Sequence, residues 1–177
     1  MAMSYNVADE IRVIRNGQAI EARYPVPPGV VGHDPAWKGG IAYDPAGANA
    51  LLDRFGYKRG TDGWRTLPDG KPLVVRLSSR PDTLGRQQDE LWKKSLDAIG
   101  VRMDVHKDKF PELIKAEKQC KLQMRVASWI ADYPDGGPCG HVFRKHTPPV
   151  LLGEAVLYLR AAPLLAGGMP GGGNQSC

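Results

Sequence analysis

Apolar and polar positions follow two different periods between residues 84 and 126. Leu84, Gln88, Leu91, Trp92, Leu96 and Ile99 recur three or four residues apart, which predicts a helix with one mostly apolar face, and Gly100 closes it. Val101, Met103 and Val105 then alternate with Arg102, Asp104 and His106, the pattern of a strand with one wet face. A shorter helix is expected over Pro111 to Gln119, carrying Leu113, Ile114 and Glu117, followed by a strand through Leu122, Met124 and Val126. Upstream, Trp64 to Leu67 and Leu73 to Leu77 flank Asp69-Gly70, a hairpin signal. Asp44-Pro45 supplies an N-cap and a first-turn proline for a helix bearing Ala48, Leu51, Leu52 and Phe55, which Gly56 ends. Asp9 to Arg15, with Ile11 and Ile14 on one face, reads as the end of a helix stopped by Asn16-Gly17. Glu21 to Gly40 is Pro- and Gly-rich and follows an extended path. Strands alternating with helices predict an α/β layer: three mostly parallel strands with crossover helices, plus a β-hairpin.

This pattern stops near residue 137. Residues 1–137 hold 11 of the 13 aromatics, whereas residues 138–177 carry four charged side chains (Arg144, Lys145, Glu154, Arg160) and 12 Gly or Pro. Val150 to Leu165 is apolar, but Gly153 and Pro163 interrupt it and no polar face repeats. Such a segment buries little, so 138–177 is expected to be a loose, low-complexity tail. At 177 residues, 42% apolar and 24% charged, the chain suits one globular domain. No stretch reaches the roughly 20 apolar residues of a membrane-spanning helix, and no basic-then-apolar export signal opens the chain. The net charge of +5 permits weak attraction to acidic partners without implying a nucleic-acid site.

Catalytic motifs are missing. There is no G-x-G-x-x-G after a strand, no Walker loop, no G-x-S-x-G and no H-E-x-x-H. His33, His106, His141 and His146 lack metal-ligand spacing with Cys120, Cys139 and Cys177, so no metal and no cofactor is expected. Cys120 and Cys139 are read as unrelated thiols rather than a pair. Arg80 and Arg86 flank the start of the long helix, where an anion contact competes with the favoured reading of solvated arginines. The lysines at 93, 94, 107, 109, 115, 118 and 121 are interleaved with acids, as on a solvated helix face. One segment stands apart: Trp129-Ile130-Ala131-Asp132-Tyr133-Pro134-Asp135-Gly136 directly follows a predicted strand. A carboxylate there lies where open α/β sheets place ligands and could pin an ammonium group, with Trp129 as apolar wall or cation–π face. The competing reading, slightly favoured on spacing alone, makes Asp132 and Asp135 turn formers and Trp129 core.

The order of these segments resembles the extracellular solute-binding proteins of peptide-type ABC importers, often called family 5. The blocks carrying it are Met3-Ser4-Tyr5-Asn6 into Glu10-Ile11; Asn16-Gly17-Gln18-Ala19 followed by Pro25-Val26-Pro27-Pro28-Gly29; and Tyr43-Asp44-Pro45-Ala46 with Leu51, Leu52 and Phe55-Gly56-Tyr57. They continue with Asp69-Gly70-Lys71-Pro72-Leu73, Trp92 through Gly100-Val101, and Trp129 through Asp135, together covering residues 3–136. The resemblance implies part of a periplasmic-binding-protein type II-like lobe. It also implies a protein that captures peptides or similar solutes and delivers them to membrane permease subunits. In peptide-binding relatives the aspartate of the A-D-Y piece holds the peptide α-ammonium, a role that falls on Asp132, with Trp129 beside the ligand. A buried ammonium needs such a carboxylate or its desolvation goes uncompensated.

The departures shape the remaining expectations. Relatives are several times longer, so residues 1–137 are expected to be an internal, partial lobe, weakly active or inactive alone, and 138–177 an out-of-frame tail. Full-length relatives are exported to the periplasm or cell surface, while this chain as written would stay in the cytosol, peripheral to any membrane. The alternatives are a small basic α/β nucleic-acid-binding module and an α/β enzyme domain. The first needs basic residues gathered on one face, the second a nucleophile–base pair or metal cluster, and the sequence offers neither.

Overall fold

The longest apolar stripe becomes the longest helix. The structure, a computed structural model, describes residues 1–22, 26, 28, 32–37 and 39–126, and the backbone alone at 127–128, 150–152 and 155–159. Helix α3 (Thr83–Ala98) starts at Asp82, whose carboxylate accepts a hydrogen bond from the Gly85 amide at 2.6 Å. It ends ahead of Gly100, which sits at φ +74°, and a Cβ there would stand 2.8 Å from the Gly63 carbonyl oxygen. Both the backbone sign and the close approach require glycine. Trp92, Leu96 and Ile99 are buried in one core with Leu73, Val75 and Leu77, Val101 and Met124.

The strands assemble around β1 (Val74–Ser79), where Val75 and Leu77 are buried while Val74 and Arg76 alternate to solvent. Strands β2 (Arg102–Lys107) and β3 (Met124–Ser128) pair with β1 on opposite sides, both parallel to it. Helix α4 (Phe110–Lys118) connects β2 to β3 and buries Leu113. Ser79 stands opposite Lys107, and Leu77 opposite Met124. The three parallel strands and their helices thus form as the apolar periods predict. Two further strands, β4 (Val150–Leu152) and β5 (Ala155–Leu159), fall inside the stretch expected to be loose. β5 pairs antiparallel with β3, giving the five-stranded order β2-β1-β3-β5-β4.

The predicted hairpin forms as a turn with little ladder. Gly70 N donates to the Leu67 carbonyl at 2.9 Å and Leu67 N to the Lys71 carbonyl at 2.7 Å. The first arm makes only the isolated bridges Arg59–Arg65 and Thr66–Pro72. Pro72 has no N–H to donate, and the Arg65 amide is drawn instead to the Gly100 carbonyl at 2.7 Å. Helix α2 (Pro45–Arg54) is capped by Asp44, which accepts from the Gly47 amide at 2.8 Å. Of its apolar positions Ala48 is buried and Leu52 half-buried, whereas Leu51 and Phe55 are exposed.

The N-terminus is part of the core. Helical turn α1 (Val7–Asp9) runs into a π-helical turn at Glu10–Ile14, and Asn16 and Gly17 at φ +51° and +74° end it. Tyr5 stacks on Trp92 with ring centroids 4.2 Å apart, and its hydroxyl donates to Glu10 Oε2 at 2.7 Å. Gln88 of α3 donates to Glu10 Oε1 at 3.3 Å, and Arg15 lies 3.4 Å from the same oxygen. On the other side of the core, the buried Arg65 guanidinium is bonded on all its nitrogens. Nε donates to the Ile99 carbonyl at 2.8 Å, and Nη1 to Asp53 and to the Tyr57 carbonyl at 2.5 Å each. Nη2 donates to Asn49 Oδ1 at 2.8 Å. One side chain therefore joins α2, the hairpin and the end of α3. Cys120, at φ +57°, is disulfide-bonded; Cys139, read from sequence as a thiol unrelated to it, lies outside the described residues.

Two stability predictions follow from these buried polar groups. Arg65→Met strips two carbonyls and Asn49 of their donor and is expected to lower the unfolding free energy by about 3–5 kcal/mol in urea titrations. Asp53→Ala leaves the buried Arg65 charge without its carboxylate and is expected to cost about 1–3 kcal/mol, less than Arg65→Met because the Asp53 site is 60% exposed and open to water; equal losses in both variants would contradict the staple. Burial, reinforced by the Glu10 carboxylate, pushes the Tyr5 phenol far above its ordinary value. The unfolded chain releases this proton near pH 10 while the folded one keeps it. Stability is therefore complete below about pH 10 and falls as pH rises beyond it. Absorbance titration near 295 nm is expected to show one of the six tyrosines ionising only on unfolding, a component that Tyr5→Phe removes.

Candidate functional site

A parallel sheet presents its ligand edge at the carboxyl ends of its strands, most of all where the chain switches direction across the sheet. Here β1 connects to β2 on one side, and β2 then connects to β3 on the other, so the switch point lies between β1 and β3. Strands β1, β2 and β3 end at Ser79, Lys107 and Ser128. Ser78 stands opposite Arg125, which carries β3 two residues beyond the end of β1, roughly 7 Å of strand rise. Trp129 and Asp132, the two binding residues expected from sequence, follow Ser128 at once but lie outside the described residues.

What the described residues build at this edge is a buried polar cluster absent from the sequence reading. Asp89 of α3, only 6% exposed, accepts from Ser79 Oγ at 3.0 Å through Oδ2 and forms an ion pair with Lys107 Nζ through the same oxygen. Lys107 Nζ also donates to Ser79 Oγ and to the Arg80 carbonyl, both at 3.3 Å. Asp108 N donates to the Ser79 carbonyl at 3.0 Å. Three elements are fastened at one point: the end of β1, the end of β2 and the second turn of α3. Asp89 sits beside Gln88 on the flank of the apolar stripe, with Gly85 one turn before it. An acid four residues after a glycine, inside a buried helix flank, was the available signal. Gly85 itself is forced, because a Cβ there would lie 2.3 Å from the Arg80 carbonyl oxygen.

The arrangement can hold and orient, but it has no nucleophile–base pair. The Lys107 ammonium is engaged by a carboxylate and offers no lone pair, and Ser79 Oγ already donates to Asp89. Arg80 forms an exposed pair with Asp82 at 3.3 Å, and Arg86 reaches Thr83 Oγ1 at 3.4 Å, in line with solvated arginines. Lys93 pairs with Asp97 at 2.7 Å and Lys94 with Asp9 at 3.6 Å, as expected of a solvated face. Among the described residues, no group of three or more His, Cys, Asp or Glu could hold a metal ion, and no helix is long and apolar enough to cross a membrane. Gly85→Ala is expected to push the β1–α3 turn away from the helix and to cost about 1–3 kcal/mol in urea unfolding; an unchanged midpoint would refute the close approach.

Comparison with known proteins agrees with this topology. Residues 1–148 match the family described as bacterial extracellular solute-binding proteins, family 5 Middle. The chain is 31% identical over 137 residues to "Di/tripeptide-binding protein 2" of Pseudomonas aeruginosa (strain UCBPP-PA14), covering 76% of this chain and 24% of that protein. NikA from Brucella suis, solved with Fe(III)-EDTA, superposes with a TM-score of 0.64 at 22% identity, covering 75% of this chain and 27% of that one. A dipeptide-binding protein from Pseudoalteromonas sp. SM9913, solved with Met-Leu, gives a TM-score of 0.62 at 20% identity, covering 75% and 25%. The chain thus spans about a quarter of the length of the relatives it matches. With its parallel core, its β1/β3 switch point and a family match over residues 1–148, this chain belongs to the family 5 bacterial extracellular solute-binding proteins.

Proposed function

We propose that this chain supplies one wall of a solute-binding site in a protein that captures peptides and hands them to an ABC importer. The supporting observation is that β3 ends at Ser128, on the β1/β3 side of the switch point, and that Trp129-Ile130-Ala131-Asp132 come next in the sequence. In this reading Asp132 takes the α-ammonium of the peptide and Trp129 covers it as an apolar wall. The protein binds and releases without chemical change, and its partners are the peptide and the permease subunits. The 31% identity to a di/tripeptide-binding protein supports peptides as the solute class. The disulfide at Cys120 supports an oxidising, extracytoplasmic compartment.

One wall is not a site. Association costs several kcal/mol of lost freedom, and contacts from a quarter of the protein fall short of that. The 177-residue chain alone is therefore expected to bind di- and tripeptides more weakly than about 1 mM in isothermal titration, and submillimolar binding would overturn this expectation. The role of Asp132 is tested by substituting residues 1–137 for the homologous stretch of the Pseudomonas relative. The chimera is expected to bind dipeptides, and Asp132→Asn to weaken them by about tenfold to a thousandfold. An Asn variant that binds as tightly as its parent removes the ammonium assignment.

A further inference from the structure

Resting on the reading of the β1/β3 edge as the solute site, we propose that Asp89 is a specificity-determining residue. It cancels the charge of Lys107 beneath that edge, so that the site accepts a solute carrying an ammonium group and does not draw in an anionic one.

The argument starts from where the charges sit. Lys107 is the last residue of β2, paired in register with Ser79 of β1, and its side chain is one-third exposed. Left alone it would place a positive charge two strand spacings from β3, roughly 10 Å, about one screening length at physiological salt. A partly buried charge is screened less than one in open water. Asp89 removes it. The carboxylate rises from α3, and its side chain is only 9% exposed. Both of its contacts, Lys107 and Ser79, use Oδ2, while Oδ1 is buried with no hydrogen-bond partner. Of its two partners, Lys107 is the charged one and the Ser79 hydroxyl the neutral one. Two other pairs lie at this edge: Arg80 with Asp82 at 3.3 Å, and His106 Nε2 with Asp108 at 3.0 Å. Those pairs are exposed and screened by solvent, whereas the Asp89–Lys107 pair is anchored in the core.

A charge-cancelling role differs from a packing role in what it moves. The test uses the full 177-residue chain, with amide-proton relaxation measured against two nitroxides of the same ring, one cationic and one anionic. Asp89→Asn keeps the shape and the Ser79 contact, and is expected to raise the anionic-to-cationic relaxation ratio at the Arg80 and Asp108 amides by about twofold or more. Asp89→Asn combined with Lys107→Gln is expected to restore the wild-type ratio. Lys107→Gln alone is expected to lower it, which keeps the test decisive should Asp89→Asn fail to fold. An unchanged ratio, or equal gains for both probes as from a loosened edge, overturns the proposal. The measurement needs no solute, so a failure of the peptide reading, seen as indifference of the chimera to Asp132→Asn, is recorded separately.

Discussion

The burial of the apolar stripe of α3 in the core it shares with the sheet is the interaction on which everything else in this structure depends. Trp92, Leu96 and Ile99 meet Leu73, Val75 and Leu77, all buried. Each such side chain contributes about 1.5–3 kcal/mol when taken out of water. The same contact fixes the geometry of the edge. Helix α3 can lie this close only because Gly85 passes under the Arg80 carbonyl and Gly100 turns beneath Gly63. With α3 seated, Asp89 arrives at the ends of β1 and β2.

Polar groups inside this core are fastened rather than tolerated. Arg65 spends its guanidinium on two carbonyls, Asn49 and Asp53, and Glu10 takes the Tyr5 hydroxyl and Gln88. Each network joins segments far apart in sequence: Arg65 to Ile99, and Glu10 to Gln88. Apolar replacements would bury as well but would not specify register, since dispersion contacts carry little direction. The N-terminal turn and the hairpin are thereby held to one arrangement against α3.

At the carboxyl ends of β1 and β2, Lys107 is paired with Asp89 inside the core and Arg80 with Asp82 at the surface. Solved relatives of similar fold are named for ligands as different as Fe(III)-EDTA and Met-Leu. A shared fold therefore does not fix the ligand. In this chain the deeply seated members of that edge are Ser79, Asp89 and Lys107.

Much of the architecture was legible in sequence because its signals are local. The three-and-four spacing from Leu84 to Ile99, the alternation from Val101 to His106 and the cap at Asp44 each act within a few residues, and each forms as read. The hairpin turn was legible while its ladder was not, because Pro72 and the pull of Gly100 on Arg65 oppose it from outside the turn. Strands β4 and β5 were not foreseen: short apolar runs without a repeating polar face look alike in a strand and in a loose tail. Asp89 gave the least away. An acid on a helix is ordinarily a solvated one, and only the arrival of Lys107 from β2 and Ser79 from β1 makes this one a buried partner. Sequence alone determined the elements from α2 to β3 and their order, since turns, caps and periodicity are short-range physics. Which charges meet at the end of the sheet was decided by tertiary structure, because strand register and helix seating bring together residues 10 to 28 positions apart.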